Sequence, residues 1–440
     1  MEHTRSANSR LVRVAIPAFT VSLLISMTVS LVFHHKTAHK DLFGLSNLVG
    51  PTTQSLLQGK GLTVTTNAMG TDSAMIFHAA RMLIASSIVA VGVLLFGEHG
   101  TLGFAIVKTL LFLAPIWGAM YLVLLQAKLQ TQRWVVLALL LLPFFLLPFL
   151  ADVVNLQVEE AYCYSPLALA LAMLLFPLTA NLQKKGAAPI MYAVVLGLSL
   201  DVLFLSKSSM IAAVGVLTIF ALWRLRSNAA RILLVALVCA APLGWALHQR
   251  AVSGRASLGT SLDGINLHKG NNDRFLDRYP PRSGETLDQY DPQLSAGIQF
   301  RDEWDFNDYH KRAAITWIKT HPGLTLRADL RKAAVFFVSI HKLGSSDVSN
   351  RVMALVETAG ILLFRILLLC SLVCSVAAVV TGSWPGRIDG LLFLLLVGAC
   401  AAPYILGFAY TRHASVLIYP VVILLCRFIT LPDATAQHLQ

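Results

Sequence analysis

A few ionisable residues sit where apolar runs end, and they are where this sequence could do chemistry. Lys207 stands in Phe204-Leu-Ser-Lys-Ser-Ser209, and Arg412 and His413 stand in Tyr410-Thr-Arg-His413. At a bilayer boundary an ammonium can hold a phosphate as a point charge, and a guanidinium can hold one bidentately. Each also has a plainer reading, because lysine snorkels to the interface and arginine commonly marks a span end. Asp201, six residues before Lys207, is off its helix face and is a poor regular partner for it. Glu159 and Glu160 form a carboxylate pair that could act as a base, bind substrate or hold a metal, or could simply be a hydrated loop pair. Asp41 and Asp72 are the only acids between His34 and Ala80. Either could serve as a general base at the membrane rim, and either could be an ordinary loop aspartate. His34, His35 and His39 lack a further obvious ligand and read as interfacial rather than as a metal site.

The elements that must position these residues are membrane spans. Of the 440 residues, 56% are hydrophobic and only 13% charged, with a mean hydropathy of +0.67. A soluble domain carries about 25% charged residues. Apolar runs fall near 11–33, 81–97, 103–126, 134–151, 165–181, 189–205, 208–223, 231–248, 355–381, 388–409 and 414–430. Runs of about 20 apolar residues are the signature of spanning helices. The fold class is therefore all-α: a polytopic membrane protein of about 10–12 transmembrane helices. The net charge of +12 does not indicate nucleic acid, because the basic residues lie in short loops, as cytoplasmic loops do. No P-loop, GxSxG or HExxH is present, which argues against ATP-driven pumps, α/β-hydrolases and zincins. Six cysteines without a CxxC pair give neither a disulfide nor a zinc framework.

Two polar stretches interrupt the spans. From about Arg250 to Lys332 the chain holds 11 of its 23 acidic residues. Backbone this polar cannot lie in hydrocarbon, so it forms one large aqueous loop. Its Asn266, Asn271 and Asn272 stand among glycines, as turn-forming residues do. In the other stretch, Asn47 to Leu62, apolar positions 48, 49, 56 and 57 predict a short helix along the membrane surface, closed by Gly59 and Gly61. Ala333–Ile340 reads as a short amphipathic helix, and Trp384-Pro-Gly-Arg387 as a hairpin turn. With arginines before the first span, and basic residues at 184–185 and 224–231, the large loop lies outside the cell membrane. Eight spans would put it inside. One run between Arg81 and Gln126 is therefore expected to be re-entrant, interfacial or fused with its neighbour. The units are residues 1–248, containing outer loop 34–80; the extracytoplasmic loop 249–332; and the C-terminal helices 333–440.

Four fragments, in order, resemble the polytopic glycosyltransferases of the GT-C class, in particular the bacterial relatives of protein O-mannosyltransferases and of the lipid A aminoarabinose transferase. They are Gln54-Ser-Leu-Leu-Gln-Gly-Lys-Gly61, Gly197 to Ser208, the loop entry Trp245 to Asn272, and the exit Tyr309 to Pro322 running on to Lys332. The resemblance implies transfer of a sugar from a polyprenyl-phosphate donor to a glycan, lipid or protein acceptor. It places the reaction on the periplasmic face of the bacterial inner membrane, with membrane lipid around it and no nucleic acid. It implies a catalytic acid just before the Gln54 fragment. Positions 45–48 read Leu-Ser-Asn-Leu, so that role falls to Asp41, preferred, or Asp72. Lys207, Arg412, His413, Glu159 and Glu160 become the substrate-binding set. A divalent ion, Mg or Mn, is compatible with the resemblance but not required by it.

Two other readings fit the same layout. An O-antigen ligase or polymerase would use Arg301, His310, Arg312 and His321 of the large loop. A transporter, or a non-catalytic homologue, would need no loop acid. A transporter is disfavoured by the absence of an inverted repeat and by spans with little interior charge beyond Lys108 and Arg365.

Overall fold

The structure is a computed structural model that describes residues 15–29, 31, 42–43, 48–66, 74–126, 130–146, 159–177, 187–279, 294–295, 297–340 and 351–430. Asp41, Asp72 and the three N-terminal histidines lie outside the described residues. In chain order the elements are α1 (Ala15–Val29), α2 (Val49–Leu57), β1 (Val64–Thr66), β2 (Met75–Phe77), α3 (Leu83–Phe96), α4 (Thr101–Gln126), α5 (Gln130–Phe145), α6 (Glu160–Leu175), α7 (Ala187–Ser206), α8 (Ile211–Arg224), α9 (Asn228–Ser253), α10 (Asp263–Lys269), α11 (Glu303–Thr320), α12 (Pro322–Phe337), α13 (Arg351–Thr381), α14 (Trp384–Leu406) and α15 (Ile418–Thr430). Short 3-10 segments, Ser208–Met210 and Thr411–Leu417, precede α8 and α15.

Six of these segments are long and apolar enough to cross a membrane, and five shorter apolar helices accompany them. The protein is an all-α membrane protein. At about 1.5 Å per residue, the 14 residues of α3 extend about 21 Å, short of a hydrocarbon core of about 30 Å. α3 is thus the short member of the pair between Arg81 and Gln126.

α6 is the centre of the bundle. It is apolar on every side, and all but one of its residues are buried, as expected of a helix surrounded by other helices. α4, α7, α8, α15 and the Thr411–Leu417 segment pack around it. α7 packs on α9, and α13 on α14.

At one end of the bundle, the turn of α6 at Leu174 meets the ends of α8, α14 and α15. There Asp389, wholly buried, pairs with Arg224 at 2.6 Å and Arg427 at 2.7 Å. Arg224 also donates to the Leu174 carbonyl. Removing one partner of a buried ion group leaves its counterparts uncompensated, at a cost of about 3–5 kcal/mol. Asp389→Ala is therefore expected to lower the thermal unfolding midpoint in detergent sharply. An unchanged midpoint would show that the triad does not tie these helices.

The polar stretches assemble over the other end as a cap. β1 and β2 pair antiparallel, Val64 opposite Phe77 and Thr66 opposite Met75. Val64, Met75, Phe77 and Ala80 share a small core with Leu262, Ile265 and Phe306 of the large loop. The Glu303 carboxylate accepts the backbone N–H groups of His78 and Ala79 at 3.0–3.1 Å, and the Ser261 N–H donates to the Ala79 carbonyl at 2.9 Å. The segment before α3 and the large loop are thus one packed body.

Other local expectations meet the structure unevenly. The short helix expected after Asn47 spans Val49–Leu57, and Gly59 and Gly61 close it with φ of 75° and 76°. The short apolar stretch 333–340 is not a separate helix. It is the last part of α12, which starts at Pro322, where the fixed φ of proline suits a first helical turn. Trp384-Pro-Gly-Arg387 is likewise not a hairpin but the first turn of α14, again with proline at its start.

Buried cations hold cap and bundle together. The Lys332 ammonium, fully buried, donates to the carbonyls of Gly270 at 3.2 Å and Gly407 at 3.0 Å, and pairs with Asp329 at 2.8 Å. This requires close backbone approach: a Cβ on Gly270 would lie 1.7 Å from the Gly407 oxygen. Arg365 of α13 donates to Phe336, Ser339 and Thr411 carbonyls. It satisfies the C-terminus of α12, whose last carbonyls have no intrahelical donor.

Candidate functional site

Where cap meets bundle, a cavity of about 770 Å³ opens. Four chain ends converge on it: the approach to α3 (Arg81), the start of α6 (Glu159, Glu160), the exit of α7 (Lys207), and the turn after α14 (Tyr410, Arg412, His413). Arg255, Asp263, Lys269 and Lys311 of the cap complete the charged lining. Ile211, Ala212, Pro403 and Leu406 give it an apolar edge.

Glu159 and Glu160 are not a hydrated loop pair. Both are buried, because the helix begins at Glu160 and brings its first turn under the cap. A charge so placed must be paired. Glu160 is held by the Lys207 ammonium at 2.5 Å and by His413 Nε2 at 3.4 Å. Glu159 pairs with Arg81 at 3.3 Å and reaches Lys207 at 3.8 Å. Lys207 also lies over the Tyr404 ring, and Tyr404 stacks on His413 with centroids 4.0 Å apart. Asp201 is absent from this set, as the helix geometry predicts.

Arg412 differs from the other cations. Its guanidinium lies over the Tyr410 ring at 4.3 Å and has no ion pair among the described residues. His413 Nδ1 accepts the Tyr410 backbone N–H at 3.1 Å, which fixes the turn that aims Arg412 at the cavity.

The five residues read from the sequence as substrate-binding (Glu159, Glu160, Lys207, Arg412 and His413) therefore line one cavity. Sequence reasoning missed Arg81, Tyr404, Lys269 and Lys311. Only Arg81, a lone cation at the edge of an apolar run, carried a local signal. Arg301 and His310 stand away from the cavity: Arg301 pairs with Asp305 at 3.4 Å on the surface, and His310 is buried inside the cap. Asp263 and Thr260 are hydrogen-bonded to each other, the carboxylate accepting the Thr260 N–H at 3.0 Å and its hydroxyl at 2.8 Å. Asp263 has no cationic partner among the described residues and faces the cavity. Among the described residues no three His, Cys, Asp or Glu lie close enough to hold a metal ion. The two glutamates there are already engaged by cations.

Inside the cap, His268 Nδ1 and His310 Nδ1 lie 2.8 Å apart, and His310 Nε2 lies 3.1 Å from the Ser295 hydroxyl. One imidazole must donate while the other accepts, so the pair is satisfied when neutral. Burial lowers His268 to about 4, and burial with the charges of His268 and Lys269 lowers His310 to about 3. Between those values and the unfolded value of about 6.5 the unfolded chain binds more protons. The stability conferred by the neutral pair is thus whole above pH 6.5 and lost as pH falls, by about 2 kcal/mol per imidazole at pH 5. The fluorescence of Trp304 and Trp317 should report a lower thermal midpoint at pH 5 than at pH 7.5. His310→Asn should flatten that difference. A midpoint insensitive to pH would sink the idea.

No protein-family model matches this chain, and no curated protein or solved structure matches it either. What the fold and the cavity define is a class: a helical membrane protein with a basic, partly apolar cavity under a polar cap.

Proposed function

We propose that the protein is a membrane glycosyltransferase that takes a sugar from a polyprenyl-phosphate donor and passes it to a glycan, lipid or protein acceptor. One observation carries this reading: Arg81, Lys207 and Arg412 converge around two buried glutamates in one cavity, with the Arg412 guanidinium, which has no ion pair among the described residues, facing inward. On the bundle wall, among the described residues, three full cations against two carboxylates leave one positive charge, which matches the single negative charge of a phosphodiester. The apolar edge at Ile211 and Leu406 suits a ligand whose tail stays in lipid. The setting would be a bacterial inner membrane with the cavity on its periplasmic side, as the charge distribution of the loops favours.

In the step proposed, an acceptor hydroxyl attacks the anomeric carbon and the bond from that carbon to the phosphate oxygen breaks. The electron pair leaves with the polyprenyl phosphate, whose added negative charge Arg412 and Lys207 stabilise. The acceptor proton passes to a carboxylate. Asp41 and Asp72 are the sequence candidates, and Asp263 is the described cavity carboxylate free of a cationic partner. Aspartate-to-asparagine variants at the three positions should single out one that abolishes turnover.

The test uses the full chain in lipid nanodiscs with polyprenyl-phosphate-linked sugars, reading release of polyprenyl phosphate. Losing one preorganised donor to a developing anion costs about 10²–10³ in rate, so Arg412→Gln should lower kcat/KM by that factor. If Arg412→Gln turns over donor within twofold of the parent, or if the parent releases no polyprenyl phosphate from any such donor, the reading fails.

A further inference from the structure

The cap wall of the cavity carries a second positive cluster that the donor phosphate does not use. Arg255, Lys269 and Lys311 line it, with Asp263 the carboxylate beside them among the described residues. Arg255 is braced by Asp308 at 2.7 Å and lies 5.1 Å over the Trp304 ring. Lys269, mostly buried, lies 5.3 Å over the Phe408 ring. Lys311, one turn of α11 beyond Asn307, is exposed and makes no ion pair among the described residues.

The aromatic partners extend the pattern. Cation–π contacts occur about once per 70–80 residues, so a chain of this length should show about six across its whole surface and core. Four of those seen have both partners on this one cavity: Lys207 with Tyr404, Arg255 with Trp304, Lys269 with Phe408 and Arg412 with Tyr410. Lys207 and Arg412 belong to the bundle wall, where the donor phosphate is placed. Arg255 and Lys269 belong to the cap wall. Stacking fixes each cation in position over a ring, so both walls present oriented positive charge beside flat apolar surface. Phe408, half-buried, offers flat apolar surface that suits the C–H face of a sugar ring, and fixed cations suit an anionic substituent on it.

From this we infer that the cap wall is a binding subsite for an anionic carbohydrate, bearing carboxylate or phosphate, which is the acceptor. The inference rests on the donor reading only in naming that ligand an acceptor; its binding is measured separately from turnover. Because Lys311 and Arg255 are exposed, the attraction is screened by salt.

The experiment uses the full-length protein in nanodiscs made of zwitterionic lipid, at about 50 mM salt, where the Debye length exceeds 10 Å. Four fluorescently tagged probes are titrated: a hexameric oligogalacturonate, the neutral hexamer of galactose, a phosphorylated mannose pentamer and its dephosphorylated form. At least one anionic probe should bind ten or more times tighter than its neutral counterpart, and which one does so distinguishes carboxylate from phosphate recognition. Lys269→Gln with Lys311→Gln should weaken that binding about tenfold while leaving polyprenyl phosphate binding within twofold. Single Lys311→Gln, on an exposed side chain with no ion pair among the described residues, should show part of the loss and guards against misfolding of the double variant. Equal affinity for anionic and neutral probes overturns the inference, as does unchanged affinity in both variants. Loss of polyprenyl phosphate binding in the parent protein would instead count against the donor reading alone.

Discussion

Lys207→Met is expected to abolish donor turnover and to destabilise the protein by about 3–5 kcal/mol, because it removes the shared partner of two buried carboxylates. Lys207 is 2.5 Å from Glu160 and 3.8 Å from Glu159. With it gone, Glu160 keeps only His413, and Glu159 keeps Arg81. Both carboxylates are buried at the start of α6, where neither is freely hydrated. The two effects can be separated. Lys207→Met with Glu160→Gln removes both ends of the tight pair, so much of the stability should return; the coupling between neighbours of this kind runs to about 3 kcal/mol. Turnover should not return, because the cation proposed to meet the phosphate is still missing. Thermal unfolding and polyprenyl phosphate release, measured on the two single variants and the double, decide it. A double variant no more stable than Lys207→Met would show that the ion pair is not what holds this corner, and recovery of turnover in it would remove Lys207 from the reaction.

A residue that touches no part of the cavity should have an effect nearly as large. Arg365, within α13, is only 2% exposed and donates to carbonyls of Phe336, Ser339 and Thr411. The first two belong to the end of α12, the last to the turn that presents Arg412 and His413. Arg365→Met removes its hydrogen bonds to all three carbonyls; each buried group left unsatisfied costs about 1–3 kcal/mol. The expected result is a drop in stability of about 3–5 kcal/mol. Polyprenyl phosphate binding should weaken even at temperatures where the variant is folded, because the Thr411–Leu417 segment loses one of the bonds that hold its start. Arg365→Lys keeps the charge but not the planar fork, and should recover part of the stability and little of the binding. If Arg365→Met lowers the unfolding midpoint and leaves binding intact below it, the side chain is a helix clamp with no bearing on the site.

These two residues show how unevenly the sequence speaks. Lys207 could be singled out because it stands at the end of a clean apolar run, where any charge is conspicuous. Arg365 was visible as a charge inside a span, but nothing in α13 indicates that its partners are carbonyls about 30 and 46 residues away. Glu159 and Glu160 were visible as a pair, yet local context described them as loop residues, because burial is a property of what packs around a chain rather than of the chain itself. The cap is a similar case: the helix at Val49 and its closing glycines follow from local pattern, whereas the pairing of Glu303 with the backbone at His78 joins segments 225 residues apart.

By itself, then, the sequence determined the solvent: runs of apolar residues must lie in lipid, and the polar stretch from Arg250 must not, because backbone groups in hydrocarbon have to be paired within the segment. It also determined which charges stand at the ends of those runs, and hence the set from which a site could be drawn. Only the tertiary structure decided that the ends of α6, α7 and α14 and the approach to α3 meet at one point, that Arg412 has no counter-ion there among the described residues, and that the cap contributes a second group of cations. Hydropathy is read along the chain one window at a time. The convergence of charges depends on how helices pack across it, and that is fixed by side chains whose partners are far away in sequence.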